Sequence, residues 1–391
     1  MPSFNQFLKN TIEQTPLDPI VLDKPIEIGE LPTPALTIDL EIFERNLENM
    51  QSYLDSCNLG LRSHGKMHKC PIIAKKQIEH GALGICTATV SEAEMMVRAG
   101  IEDILITSPI ATTDKIARVI EMGLVTDKLH LVVDDVGNAT ALNIAARDAG
   151  IILSVYIDLD PPMGRTGVEQ GAPALALGQH LTDECNNLSL DGLQIYIGSC
   201  MHIHGFEKRR DRYARMMALT TSTCEMFLQA GIDVPVVSGG GTGSYNMESD
   251  IGVLTEVQAG SYVFMDVEYR EIGGEKTELF SDFEPSLHVL VTAISQPQKK
   301  LITVDAGYKS FASDTVKPQF KDIEGVDFNW GGDEHGIILL NNPSVEIRLG
   351  DKLPIVTPHC DPTVNLYDYY FPHRDGVVSE IWPIAARGKS Q

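Results

Sequence analysis

The chain has 391 residues, 43% of them hydrophobic, enough for a large core and more than one domain. A balance of 31 basic and 54 acidic side chains gives a formal charge of −23, and a surface that acidic repels phosphate backbones, so nucleic acid is not an expected partner. The seven cysteines are scattered without a CxxC, no apolar run approaches the roughly 18 residues of a membrane span, and residues 1–4 lack a basic stretch leading into an apolar one; a cytoplasmic protein without a membrane partner is expected.

Residues 1–32 are polar and punctuated by proline. Residues 34–40 read as a strand and 41–55 as an amphipathic helix with Phe43, Leu47, Met50 and Leu54 on one face. Then a rhythm begins. Apolar strand candidates fall at 60–64, 84–89, 103–107, 129–133, 153–158, 192–197, 234–238 and 257–264. Helical stretches lie between them, among them 91–99, 113–122 and 207–230, with Ser91 and Glu94 at capping-box spacing. Eight strands alternating with helices predict an α/β fold built on a (β/α)8 TIM barrel. A doubly wound open sheet is the competing architecture; the count of eight favours closure.

After Asp266 the pattern changes. Residues 284–310 and 336–382 alternate in short strands, broken by turns such as Asn341-Asn342-Pro343 and Arg374-Asp375-Gly376. A C-terminal, mostly antiparallel β domain is expected. The division is therefore 1–58 as an arm, strand and helix partly joining the β domain, 59–268 as the barrel, and 269–391 as the β domain.

The stretch Leu61-Arg62-Ser63-His64-Gly65-Lys66-Met67-His68-Lys69 ends the first barrel strand, where such barrels do chemistry. An amine held among cations and partly desolvated loses basicity and becomes nucleophilic; Arg62 and Lys69 would press on Lys66 in this way. The expected linkage is a Schiff base from Lys66 to pyridoxal phosphate. The bland alternative is a solvated basic turn. Ser238-Gly239-Gly240-Gly241-Thr242-Gly243-Ser244 follows the seventh strand, and Gln258-Ala259-Gly260-Ser261-Tyr262 comes at the eighth. Consecutive glycines let backbone N–H groups close on an anion, and phosphate sites in these barrels use these two loops together. No lysine follows the glycines, so this is no nucleotide P-loop. A tight structural turn, and a core aromatic at Tyr262, are the competing readings.

Arg165, in Met163-Gly164-Arg165-Thr166-Gly167, is permanently charged and suited to a cofactor phenolate oxygen; an ion pair with Asp158 or Asp160 competes. Tyr196 ends the sixth strand, within reach of a pyridine nitrogen, with His202 beyond it as a candidate general base. His359-Cys360-Asp361-Pro362-Thr363 lies in the second domain. In an extended segment His359 and Asp361 point together, which suits Mn²⁺, Mg²⁺ or Zn²⁺; a plain His–Asp hydrogen bond competes. Asp333-Glu334-His335 is a second polar cluster that would line the same space.

In this order, the Lys66 setting, Gly164-Arg165-Thr166-Gly167, the 238–244 and 258–262 loops, Asp305-Ala306-Gly307, Asp333 to Gly336 and His359 to Thr363 resemble one family: fold-type III pyridoxal phosphate enzymes of the D-threonine aldolase and D-serine dehydratase group. The resemblance spans residues 31–388. It implies an alanine-racemase-like barrel with a β domain, a homodimer, and Lys66 rather than Lys69 as the cofactor lysine. It implies Arg165, Tyr196, Gly241, Thr242, Gly243, Gly260, Ser261 and Tyr262 as cofactor contacts, and His359 and Asp361 as ligands of a divalent metal, Mn²⁺ foremost. The His-x-Asp pair matches the aldolases, whereas eukaryotic D-serine dehydratases show His-x-Cys. The string Arg62 to Lys69 resembles the D-3-hydroxyaspartate aldolase branch, while Thr87-Ala88-Thr89 departs from several aldolases. The expected reaction is retro-aldol cleavage of a D-3-hydroxy amino acid to glycine and an aldehyde, with Lys66 and His202 catalytic. The alternative is a D-serine or D-3-hydroxyaspartate dehydratase.

Overall fold

The computed structural model describes residues 15–391; the arm over 1–14 lies outside the described residues. Eight parallel strands close into a barrel: Gly60–His64, Gly84–Thr87, Ile104–Ile106, Leu129–Val133, Leu153–Asp160, Leu188–Ile195, Val236–Gly239 and Glu256–Val257. The eighth pairs with the first, Glu256 opposite Gly60 and Val257 opposite Leu61, so the ring has no open edge. Helices between the strands cover the outside, and Ile85, Ile104, Leu131, Val155 and Leu193 pack beneath them.

Three predicted strands differ most in extent; the sixth runs Leu188–Ile195, so Tyr196 lies just past its end. The eighth strand stops at Val257, and Ser261–Val263 is a 3-10 turn. An unbroken apolar run has no period that separates a buried strand from a buried turn. The second strand stops at Thr87, because Thr89 caps the next helix, Val90–Arg98, by accepting the Glu92 N–H at 3.2 Å. The cap is thus Thr89, not Ser91, whose hydroxyl instead accepts from Arg118 at 2.6 Å.

The helix Leu40–Ser56 is capped by Asp39 and buries Phe43, Leu47, Met50 and Leu54. The strand before it, Ala35–Asp39, joins the second sheet between Leu287–Gln298, antiparallel, and Tyr369–His373, parallel. Ile20–Glu27 pairs with Val377–Pro383 at the sheet edge. One continuous core runs from Leu61, Met67 and Val257 of the barrel to Leu287, Val289, Ile355 and Trp382 of the sheet. This shared core fixes the β domain over the mouth of the barrel. Among the described residues no helix is long and apolar enough to cross a membrane.

Candidate active site

Past the first strand the chain makes a turn in which Lys69 N–H donates to Gly65 O at 2.8 Å. His68 locks it: Nδ1 accepts the Cys70 N–H at 3.1 Å, Nε2 lies 3.2 Å from Gln77 Oε1, and Tyr370 of the β domain donates to the His68 carbonyl at 2.7 Å. Lys66 is left projecting from a rigid support.

The expectation that Arg62 and Lys69 press on Lys66 fails. Arg62 donates to Glu256 at 2.8 Å and pairs with Asp103, while Lys69 pairs with Glu92. Both charges are neutralised where they stand. Lys66 Nζ instead lies 3.4 Å from Asp361 Oδ1. That carboxylate is the main reason the Lys66 ammonium is held above its ordinary value; burial works the other way and loses.

Lys66 opens into a cavity of about 280 Å³ shared with His64, Arg165, Tyr196, Gly241, Thr242, Gly260 and Ser261. The loops after strands seven and eight thus meet at one end of it. Among the described residues, the N–H groups of Thr242, Gly243, Gly260 and Ser261 have no hydrogen-bond acceptor. Four unused donors in two adjoining loops fit a phosphate. Side chains would spoil the arrangement. A Cβ at Gly243 would stand 2.4 Å from Met201 O, and one at Gly260 would stand 2.9 Å from His64 O.

Tyr262 does not reach the cavity with its side chain. It is fully buried, edge-on to Phe283, and its hydroxyl accepts from Gln77 at 3.3 Å. Its N–H donates to Thr242 Oγ1 at 3.0 Å and ties the two loops together. Arg165 forms no ion pair among the described residues. Asp160 is occupied by the N–H groups of Met163 and Gly164, and the guanidinium lies 5.1 Å from the Tyr196 ring centroid.

His359 and Asp361 come together, but by a different route from the extended segment expected. His359 is extended at the N-cap of a one-turn helix, Cys360–Val364, that carries Asp361. Proline at 362 suits an early helical position, and Asp266 Oδ2 accepts the Cys360 N–H at 2.9 Å, fixing the start. His359 Nε2 and Asp361 Oδ2 stand 3.8 Å apart, a gap one ion can span with bonds of about 2.1 Å. Burial opposes the charge on Asp361, but Lys66 and His359 outweigh it and hold the carboxyl below the usual range. Among the described residues no three His, Cys, Asp or Glu side chains form a metal cage. A two-donor site leaves positions for water and substrate, which suits a hard cation.

His202 follows the helix Gly198–Met201, with its ring 4.7 Å from that of Tyr269. Its Nδ1 is 3.3 Å from Glu268 Oε1 without hydrogen-bond geometry and is buried without a partner. Burial, then His359, push its pKa down to about 4, so the ring is neutral near pH 7 and able to take a proton. Glu268 and Asp314 are additions that sequence reasoning missed. Asp314 Oδ2 lies 2.8 Å from His359 Nδ1, and Glu268 Oε2 lies 3.9 Å from it. Neither carries a motif; Glu268 has only its nearness to the eighth strand as a signal. The cluster 333–335 does not line the cavity; Glu334 pairs with Lys309 at 2.5 Å.

Comparison with known proteins agrees with this geometry. The alanine racemase N-terminal domain model matches residues 38–268, and the serine dehydratase domain model matches 286–372. A D-threonine aldolase from Arthrobacter sp. is 37% identical over 95% of this chain and 98% of its own length. The chain belongs to the D-threonine aldolase family of pyridoxal-phosphate-dependent lyases. A 3-hydroxy-D-aspartate aldolase of Paracoccus denitrificans is 34% identical, covering 92% of this chain and 93% of its own. The crystal structure of D-threonine aldolase from Filomicrobium marinum superposes with a TM-score of 0.90 at 35% identity, covering 96% of this chain and all of that one. Dehydratases of D-3-hydroxyaspartate and D-serine match at 30% identity or less. In this aldolase-family chain the Lys66 turn and the His359–Asp361 pair face each other between barrel and β sheet.

Proposed function

We propose that this protein cleaves D-3-hydroxy amino acids of the D-threonine or D-3-hydroxyaspartate type to glycine and an aldehyde. The observation that carries the reading is the approach of an amine, Lys66, to a His–Asp donor pair, at the mouth of a barrel whose two phosphate-ready loops share its cavity. When bound, pyridoxal phosphate at Lys66 supplies an electron sink for Cα, and a divalent ion at His359 and Asp361, Mn²⁺ foremost, supplies Lewis acidity.

The residues then divide the work. Thr242, Gly243, Gly260 and Ser261 hold the phosphate through main-chain N–H groups, with Gly241, whose own N–H donates to Ser244 Oγ, lining the cavity beside them and Tyr262 bracing the cradle. Arg165 holds the phenolate oxygen and Tyr196 faces the pyridine edge. His202 accepts the β-hydroxyl proton as the Cα–Cβ bond breaks; the pair goes to Cα, the aldehyde leaves, and a proton added at Cα completes glycine. The Tyr269 ring, 4.7 Å from that of His202, packs against it and holds its place.

In the same reading the chain works in the cytoplasm as a homodimer, divides at residues 58 and 268, and takes neither nucleic acid nor membrane as a partner. Seven unpaired thiols support the compartment, and the −23 charge supports the absence of a nucleic-acid partner. The test is direct. Purified protein is incubated with D-threonine, D-serine and D-3-hydroxyaspartate, with and without Mn²⁺, and the products are identified by mass. Glycine plus aldehyde supports the aldolase; a 2-oxo acid plus ammonia makes the protein a dehydratase instead.

A further inference from the structure

Arg209 is 1% exposed, yet it forms no ion pair among the described residues. It sits in the first turn of the helix Phe206–Gln229, where the helix dipole disfavours a cation. Its donors are spent on four carbonyls. Nε donates to Gly243 O at 2.8 Å, Nη1 to Ile203 O at 2.9 Å and Ile272 O at 3.0 Å, and Nη2 to Gly273 O at 2.9 Å. Carbonyls satisfy hydrogen bonds but carry no net charge. The guanidinium is therefore buried without an ion-pair partner, with the Phe206 ring 5.7 Å away and Asp282 acting only from beyond ion-pair distance, a state that proteins ordinarily avoid. Burial draws its pKa down to about 10, which leaves it cationic at neutral pH.

The carbonyls it holds come from three segments. Gly243 belongs to the glycine loop and has one of the four unused N–H groups. Ile203 follows His202. Ile272 and Gly273 end the helix Val267–Glu271, which carries Glu268 and Tyr269. The loops 238–244 and 258–262 themselves contain no lysine or arginine. Lys66 is engaged by Asp361, and Arg165 stacks on Tyr196. A dianionic phosphate bound at these loops therefore has, besides Arg165 in the cavity, the charge of Arg209 behind Gly243.

We propose that Arg209 is a positioning residue and the counter-charge of the cofactor phosphate, acting from behind the glycine loop through the Gly243 carbonyl. This rests on the cofactor reading above. A low-dielectric setting strengthens the attraction between this cation and a dianion, and lowers the proton affinity of the phosphate.

The experiment compares pyridoxal phosphate with pyridoxal, which lacks the phosphate. Both are titrated by absorbance into cofactor-stripped full-length protein, as wild type, Arg209→Lys and Arg209→Met. Loss of the charge in Arg209→Met weakens pyridoxal phosphate on the order of 30-fold or more, leaves pyridoxal little changed, and is partly rescued in Arg209→Lys. Equal weakening of both ligands, or of neither, overturns the proposal, since a brace alone does not distinguish them. The ³¹P resonance of wild-type holoenzyme is a second measurement that needs no variant. It is expected to stay dianionic from pH 5 to 9; a bound phosphate titrating at about pH 6, like a free one, overturns the proposal. A wild-type protein that binds neither compound overturns the cofactor reading itself, and this inference with it.

Discussion

Lys66 Nζ and Asp361 Oδ1 are 3.4 Å apart, although 295 positions separate them in the chain (361 minus 66) and each belongs to a different domain. The contact depends on the shared core that seats the sheet on the barrel, and on Tyr370, which reaches from that sheet to the carbonyl of His68. An amine and a carboxylate so placed bring the His359–Asp361 pair up to the edge of the cavity that Lys66 enters.

The lysine assignment is open to a chemical test. Lys69 is buried and paired with Glu92, so its amine is not free to react; Lys66 stands in the cavity. Borohydride reduction of the holoprotein followed by peptide mapping is expected to place the cofactor label on Lys66. The label should vanish in Lys66→Ala. A label on Lys69 or on no lysine would sink the mechanism.

In the proposed mechanism Asp361→Ala removes one of the two side chains that would hold the metal, and with it the partner of Lys66. Asp314 and Glu268, which stand beside His359, would not replace it. Activity toward D-threonine is expected to fall by about 100-fold or more, and stimulation by added Mn²⁺ to disappear. Chelation of the wild-type protein should have the same effect on turnover while the visible absorbance of the bound cofactor persists. Steady-state rates and absorption spectra, measured on one preparation, check both halves.

Arg62 is a structural charge, and its mutation should act on stability. It lies within the barrel against Glu256 and Asp103 at low exposure. Arg62→Met leaves Glu256 buried without its cation, and Asp103 with only His130 beside it among the described residues. Loss of one member of such a network costs about 3–5 kcal/mol. Urea unfolding should show a midpoint lowered accordingly. A midpoint within error of wild type would mean that water reaches Glu256 and relieves it.

Much of this arrangement was legible in the chain. Parallel strands buried on both faces leave short apolar runs between helices, and their count gave the barrel. The two glycine-bearing loops were legible as tight turns because glycine is needed wherever a backbone approaches closely, as Gly243 does to Met201. Other features were not. The spacing of His359 and Asp361 pairs them in a strand as well as at a helix start, so it could not fix their conformation. Asp314 and Glu268 reach His359 from separate segments, and no local pattern encodes such a meeting. Lys66 looked like an amine among cations because the partners of Arg62 and Lys69, namely Glu256, Asp103 and Glu92, lie far along the chain.

Glu248 gives the protein a pH-dependent stability. It is 1% exposed, and neither carboxyl oxygen has a hydrogen-bond partner among the described residues; the Tyr213 hydroxyl approaches without the geometry of a bond. Burial raises its pKa from 4.5 to about 7. The folded state therefore keeps a proton that the unfolded chain has already released between those values. Folding binds protons in that window, so stability falls as pH rises from 4.5 to about 7 and then levels off. At about 1.4 kcal/mol per pH unit the loss amounts to ~3 kcal/mol. Glu248→Gln preserves the shape and removes the titration. Thermal unfolding of both proteins between pH 4.5 and 8 should show the wild type losing ground to the variant across the window and holding a constant gap above it. Parallel curves would mean that the carboxyl is hydrated in the folded protein.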